Sequence, residues 1–127
     1  MKNKGIGVLL IGALVSLFSC TKLDSSDLVG TFWNGTLTAT DYAEGTHTDL
    51  AFAFKDGKAD FTYLQYGELV PEEGIMLYSM SEETFTIEKA NEILNGDWNI
   101  VNATRQEMTL ERTEGSNTLT ISINKRK

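Results

Sequence analysis

Leu50-Ala51-Phe52-Ala53-Phe54-Lys55-Asp56-Gly57-Lys58-Ala59-Asp60-Phe61-Thr62-Tyr63 is the stretch on which the fold turns. Asp and Gly tolerate the positive φ of a type I′ turn, so Asp56-Gly57 reads as the tip of a β-hairpin. With that tip, Phe54 faces Ala59, Phe52 faces Phe61 and Leu50 faces Tyr63. Both arms then place their apolar residues on one side. Ala51, Ala53 and Lys55 stand on the other side, against Lys58, Asp60 and Thr62. A slip of one residue would pair a core face with a solvent face. Turn chemistry and period-two alternation therefore demand the same register.

Outward from this hairpin the alternation continues. Along residues 31–40, Trp33, Leu37 and Ala39 share a face with Gly35, while Phe32, Asn34, Thr36 and Thr38 take the other. That period argues a half-buried strand. Gly67 to Gly74, with Pro71, reads as a loop, and Ile75 to Met80 as a strand with apolar residues in both phases. Ser81-Glu82-Glu83 reads as a turn, and Phe85 and Ile87 face inward on the next strand. Lys89 to Leu94 fits either one helical turn or a loop. Asn95-Gly96 is a second favoured hairpin turn, leading into Trp98-Asn99-Ile100-Val101. Met108, Leu110 and Arg112 alternate, Glu114-Gly115-Ser116-Asn117 turns, and Leu119, Ile121 and Ile123 close the chain. About eight short strands at this spacing predict an all-β domain, either barrel or sandwich.

The start of the chain carries an address. Lys2 and Lys4 precede an apolar run from Ile6 to Phe18, and Ser19 stands before Cys20. A positive start, an apolar middle and a small residue before the cut make the layout of a secretory signal peptide. The run is too short for a membrane-spanning helix, which needs about 20 apolar residues. Leu17-Phe18-Ser19-Cys20 resembles the lipobox of bacterial lipoproteins. The resemblance implies that residues 1–19 are removed and that Cys20 becomes the first mature residue, its sulfur carrying lipid with palmitate among the acyl groups. Two or three acyl chains give the firm anchoring that one chain does not. Residues 20–27 read as a lipidated tether and residues 28–127 as the domain.

Cys20 is the one cysteine of the 127-residue chain, so the domain has neither a disulfide nor a thiol nucleophile, and an apolar core must hold it together. The formal net charge is −7, and loss of Lys2 and Lys4 with the leader takes it to −9. That balance excludes nucleic acid as a partner. It also opposes an anionic membrane surface, so attachment is expected to rest on the lipid at Cys20. The absence of an aspartate at position 21 and of an unbroken acidic run behind the cysteine points to the outer membrane of the cell envelope, on its periplasmic side.

Leu28-Val29-Gly30-Thr31-Phe32-Trp33-Asn34-Gly35, Phe52-Ala53-Phe54-Lys55-Asp56-Gly57, Gly96-Asp97-Trp98-Asn99-Ile100, Met108-Thr109-Leu110 and Leu119-Thr120-Ile121 together resemble small lipocalin-like lipoprotein domains of Gram-negative bacteria. The resemblance spans nearly the whole mature chain. It implies an up-and-down meander of about eight antiparallel strands closed into a barrel. Lipocalins open with Gly-x-Trp, whereas two residues separate Gly30 from Trp33 here, which moves the tryptophan to the other strand face.

Chemistry finds few residues to work with. His47, the single histidine, sits in a polar loop, and a zinc site wants several His or Cys ligands. No Asp-x-Asp-x-Asp-Gly calcium loop and no glycine-rich phosphate loop occurs. Glu72-Glu73 and Glu82-Glu83 are sequence neighbours, which point to opposite faces of a strand and so make poor paired carboxylates. Neither catalysis, a metal nor a cofactor is expected. Trp33, Phe52, Phe54, Phe61, Tyr63 and Trp98 are the residues fit to line an apolar pocket with a few polar donors. The same rings would equally fill a closed core. Tyr66, Leu64 and Phe32 fall on the outer face, where exposed apolar groups mark a protein partner. Two readings follow: an anchored binding module holding a small apolar or amphipathic ligand in the barrel, placed first, and an accessory protein with a filled barrel that binds an envelope protein.

Overall fold

The computed structural model describes residues 23–126. The expected signal peptide and the expected lipidation at Cys20 lie outside the described residues. Among these residues, eight strands follow a short helix: α1 (Ser25–Leu28), β1 (Phe32–Ala39), β2 (Thr48–Phe54), β3 (Lys58–Leu64), β4 (Glu72–Met80), β5 (Thr84–Glu88), β6 (Gly96–Ala103), β7 (Glu107–Glu114) and β8 (Asn117–Lys125). Each strand pairs antiparallel with the next, and β1 pairs with β8, so the sheet closes as an all-β, eight-stranded up-and-down barrel. This is the meander that the lipocalin-like resemblance implies. Closure removes the free strand edges that an open sheet would expose.

The barrel has two unlike ends. The base carries α1 and the tight turns at 55–57, 81–83 and 104–106. The mouth carries the longer connections at 40–47, 65–71 and 89–95, with the short turn at 115–116. Asp24 caps α1 in a capping box, its side chain accepting from the Ser26 and Asp27 amides. Leu23 and Leu28 belong to the core, so chain that reads as tether plugs the base. Trp33 also points inward there, and its indole N–H donates to the Thr31 hydroxyl at 2.9 Å.

The hairpin of β2 and β3 has the expected register, with Leu50 opposite Tyr63, Phe52 opposite Phe61 and Phe54 opposite Ala59. Its turn differs from the expected type I′. Gly57 has φ 76°, but Asp56 does not enter the positive-φ region. The Lys55 carbonyl accepts the Tyr78 hydroxyl at 2.8 Å, so a neighbouring strand holds the tip. Asn95-Gly96 is not a hairpin tip either. Seven residues, 89–95, connect β5 to β6, and the Asn95 side chain accepts from the Ala90 amide within that connection. β4 begins at Glu72, inside the stretch that reads as a loop, because Glu72, Glu73 and Gly74 pair with Tyr63, Thr62 and Phe61. Its double apolar phase resolves with Met76 and Tyr78 inward and Ile75 and Leu77 outward.

At the closing seam Gly35 pairs with Ile123. A Cβ on Gly35 would lie 1.9 Å from the Ser122 carbonyl oxygen, so only glycine fits there. The interior is packed around an aromatic cluster: Phe54 meets Tyr78 edge-on at 5.0 Å between centroids, and Tyr78 stacks on Phe85 at 5.7 Å.

Candidate functional site: an outer groove across four strands

The six residues fit for a pocket all lie in the core. Trp33, Phe52, Phe54, Phe61 and Trp98 keep 0–4 % of their surface, and Tyr63 keeps 9 %. Leu37, Met76, Trp98, Met108 and Ile121 keep no accessible surface, so side chains fill the interior around them. Close packing of this kind is the usual filling of a small eight-stranded barrel. Burial raises the Tyr63 hydroxyl above its ordinary pKa, with Tyr42 adding to the effect. It does the same for Tyr78, where the negative charge of Asp56 adds.

The mouth is closed by a device that the alternation of β7 only hints at. Leu94 is fully buried, and its carbonyl accepts the Trp98 indole N–H at 2.8 Å. The Arg112 guanidinium lies over the Trp98 ring. It donates to the Asn95 carbonyl at 2.7 Å and to that of Ile93, and it pairs with Glu114 at 2.8 Å. The 89–95 connection is thus pinned down as a lid.

The open space lies outside the barrel. Register places Phe32 beside Ala53, Ala53 beside Asp60, and Asp60 beside Ile75, making one row across β1 to β4. The next row is Asn34, Ala51, Thr62 and Glu73. Phe32 and Ile75 are more than half exposed and stand as walls, while Ala51 and Ala53 form a low floor between them. The result is an open groove of about 500 Å³, edged by Asp60, Glu73 and Arg126. Lys55 pairs with Asp60 at 3.1 Å, and the Arg126 amide donates to the Phe32 carbonyl at 2.7 Å. Trp33, Phe52 and Phe61 reach the groove from the interior-facing row; Phe54, Tyr63 and Trp98 do not.

His47 pairs with Asp49 at 3.1 Å, both well exposed. Among the described residues no three His, Cys, Asp or Glu side chains converge as metal ligands, and no helix is long and apolar enough to cross a membrane. Comparison with known proteins finds no matching family model, no matching curated protein and no matching solved structure.

Proposed function

We propose that the chain is a lipid-anchored, non-catalytic protein of the cell envelope that binds an envelope protein through the outer groove of its barrel. The anchor is the lipid on Cys20, and the lipobox-like Leu17-Phe18-Ser19-Cys20 supports it. The observation that supports this binding mode is the close burial of Trp33, Phe54 and Trp98 inside the barrel, whereas Phe32, Ala51, Ala53 and Ile75 offer apolar surface outside. Singly scattered apolar residues are ordinary on a surface, but a contiguous concave patch with polar edges suits a protein contact. Glu73 at its edge, on a chain of such acidic balance, favours a partner that flanks its apolar side chains with lysine or arginine.

Native mass spectrometry of the detergent-extracted protein tests this. The expected species is a complex with a protein companion that is lost in Ala53→Arg, which fills the groove floor with a bulky cation. A stoichiometric small molecule that survives Ala53→Arg would overturn the reading in favour of a ligand carrier.

A further inference from the structure

The two ends of the barrel differ in charge, and the difference fixes which end can approach a membrane. Apart from Lys89 and Arg112, every lysine and arginine of the described residues lies in the base half: Lys55, Lys58, Arg105, Lys125 and Arg126. Arg112 is engaged over Trp98 and so adds no free cation to the mouth. The mouth holds Asp41 and Glu44, Glu68 and Glu92 in its loops, and Glu72 and Glu73 at the start of β4. The base has carboxylates of its own, among them Asp24, Asp27, Asp56, Glu82 and Glu83. There, however, cations stand among them, with Arg105 at 3.8 Å from Asp27 and Lys55 at 3.1 Å from Asp60. With Asp60 and Glu107 included, seven carboxylates meet five cations in the base half of the described residues, a net −2, against eleven carboxylates and two cations in the mouth half.

We infer that the barrel stands base-down on the lipid headgroups, with its acidic mouth pointing away from the membrane. The inference rests on the acylated Cys20 proposed above and adds an orientation to it. Only Thr21 and Lys22 separate Cys20 from Leu23, which is already locked into the base. Three residue steps span at most about 11 Å, so the base cannot stand far from the anchoring lipid. At physiological salt an anionic headgroup surface acts within a screening length of about 8 Å. Strands of this length at the usual tilt give a barrel about 20 Å tall. Base-down, the mouth carboxylates lie beyond the reach of that field; inverted, they would sit inside it. The net charge of the chain, which by itself opposes an anionic surface, is thus concentrated at the end that faces away from it.

The test uses the full chain, expressed with its lipid and reconstituted into phosphatidylethanolamine–phosphatidylglycerol vesicles doped with a nickel-chelating headgroup lipid. Acylated Cys20 leaves no other thiol, so Gln106→Cys at the base and Ser116→Cys at the mouth each accept one spin label. Paramagnetic relaxation by the headgroup nickel is expected to be several-fold stronger at position 106 than at 116. Ten Gly/Ser residues inserted between Lys22 and Leu23 should shrink that ratio. Equal relaxation at the two sites in a protein that floats with the vesicles and carries acyl mass on Cys20 would overturn the orientation alone. A protein that neither floats nor carries acyl mass would overturn the anchor, and the orientation with it.

Discussion

The guanidinium carbon of Arg112 stands 4.2 Å from the centroid of the Trp98 ring, so one side chain on β7 both covers a core indole and binds the lid that lies above it. Its N–H groups meet the carbonyls of Ile93 and Asn95, while the indole N–H meets that of Leu94. Three consecutive carbonyls of one connection, counting Asn95, are therefore satisfied by two side chains. Of the three, the Leu94 carbonyl is the buried one, and the indole N–H supplies the partner that a buried acceptor needs.

Arg112→Ala is expected to destabilise the fold by about 2 kcal/mol. It removes a cation–π contact and the charge-assisted hydrogen bonds that hold the lid. Arg112→Lys should recover little of this, because an ammonium cannot reproduce the planar fork. Urea unfolding measures the loss, and amide exchange at residues 93–98 locates it. A lysine variant as stable as the parent would show that charge alone holds the lid.

Gly35→Ala probes the closing seam. Its new Cβ would meet backbone of Ser122 and Ile123 inside contact distance, and backbone cannot swing aside as a side chain can. A cost of about 1–3 kcal/mol is expected from the overpacking. Thermal unfolding should show a lower midpoint, and amide exchange should quicken along β1 and β8 first. An unchanged midpoint would mean that the seam yields without loss.

A filled interior makes a further forecast. Phe54 keeps 2 % of its surface and touches the Phe52, Tyr78 and Phe85 rings. Phe54→Ala should cost about 3–5 kcal/mol, the usual loss for a buried phenylalanine in a core that cannot collapse around the gap. A loss well under that range in chemical denaturation would point to slack space around the ring.

Much of this architecture is legible in the residues. Strand phase is legible wherever one face is apolar: Trp33 and Leu37 on β1, Leu50, Phe52 and Phe54 on β2, and Phe85 and Ile87 on β5 all point inward as their alternation requires. The tip of the central hairpin departs from its dipeptide signal because Tyr78, remote in sequence, donates to the Lys55 carbonyl, while the Lys55 amide still donates to the Lys58 carbonyl across the turn. Asn95-Gly96 misled for a related reason: the Asn95 side chain ties back to Ala90 and Arg112 grips the lid from β7, contacts invisible to a dipeptide rule. The start of β4 was hidden by Glu72 and Glu73, which look like loop residues until Thr62 and Tyr63 pair with them. The groove had no local signature at all. Phe32, Ala53, Asp60 and Ile75 come from four strands and become neighbours only through three registers.

Stability should also fall at high pH, and the two buried tyrosines set where. Burial holds both hydroxyls above their ordinary value of 10.0, so the folded state resists losing those protons. Below pH 10 both states keep the protons, and stability is unaffected. Above it the unfolded chain releases them first, so the unfolded state gains and stability declines with rising pH. The decline continues until the folded hydroxyls also ionise. Tyr78→Phe loses the hydrogen bond to the Lys55 carbonyl and should lower stability at neutral pH by about 1 kcal/mol. Its alkaline decline should nevertheless be shallower, since one of the two groups driving it is gone. Urea midpoints measured between about pH 8 and 11 carry both parts of the forecast. A variant with the parent's alkaline slope would exclude the Tyr78 hydroxyl as a source of the pH dependence.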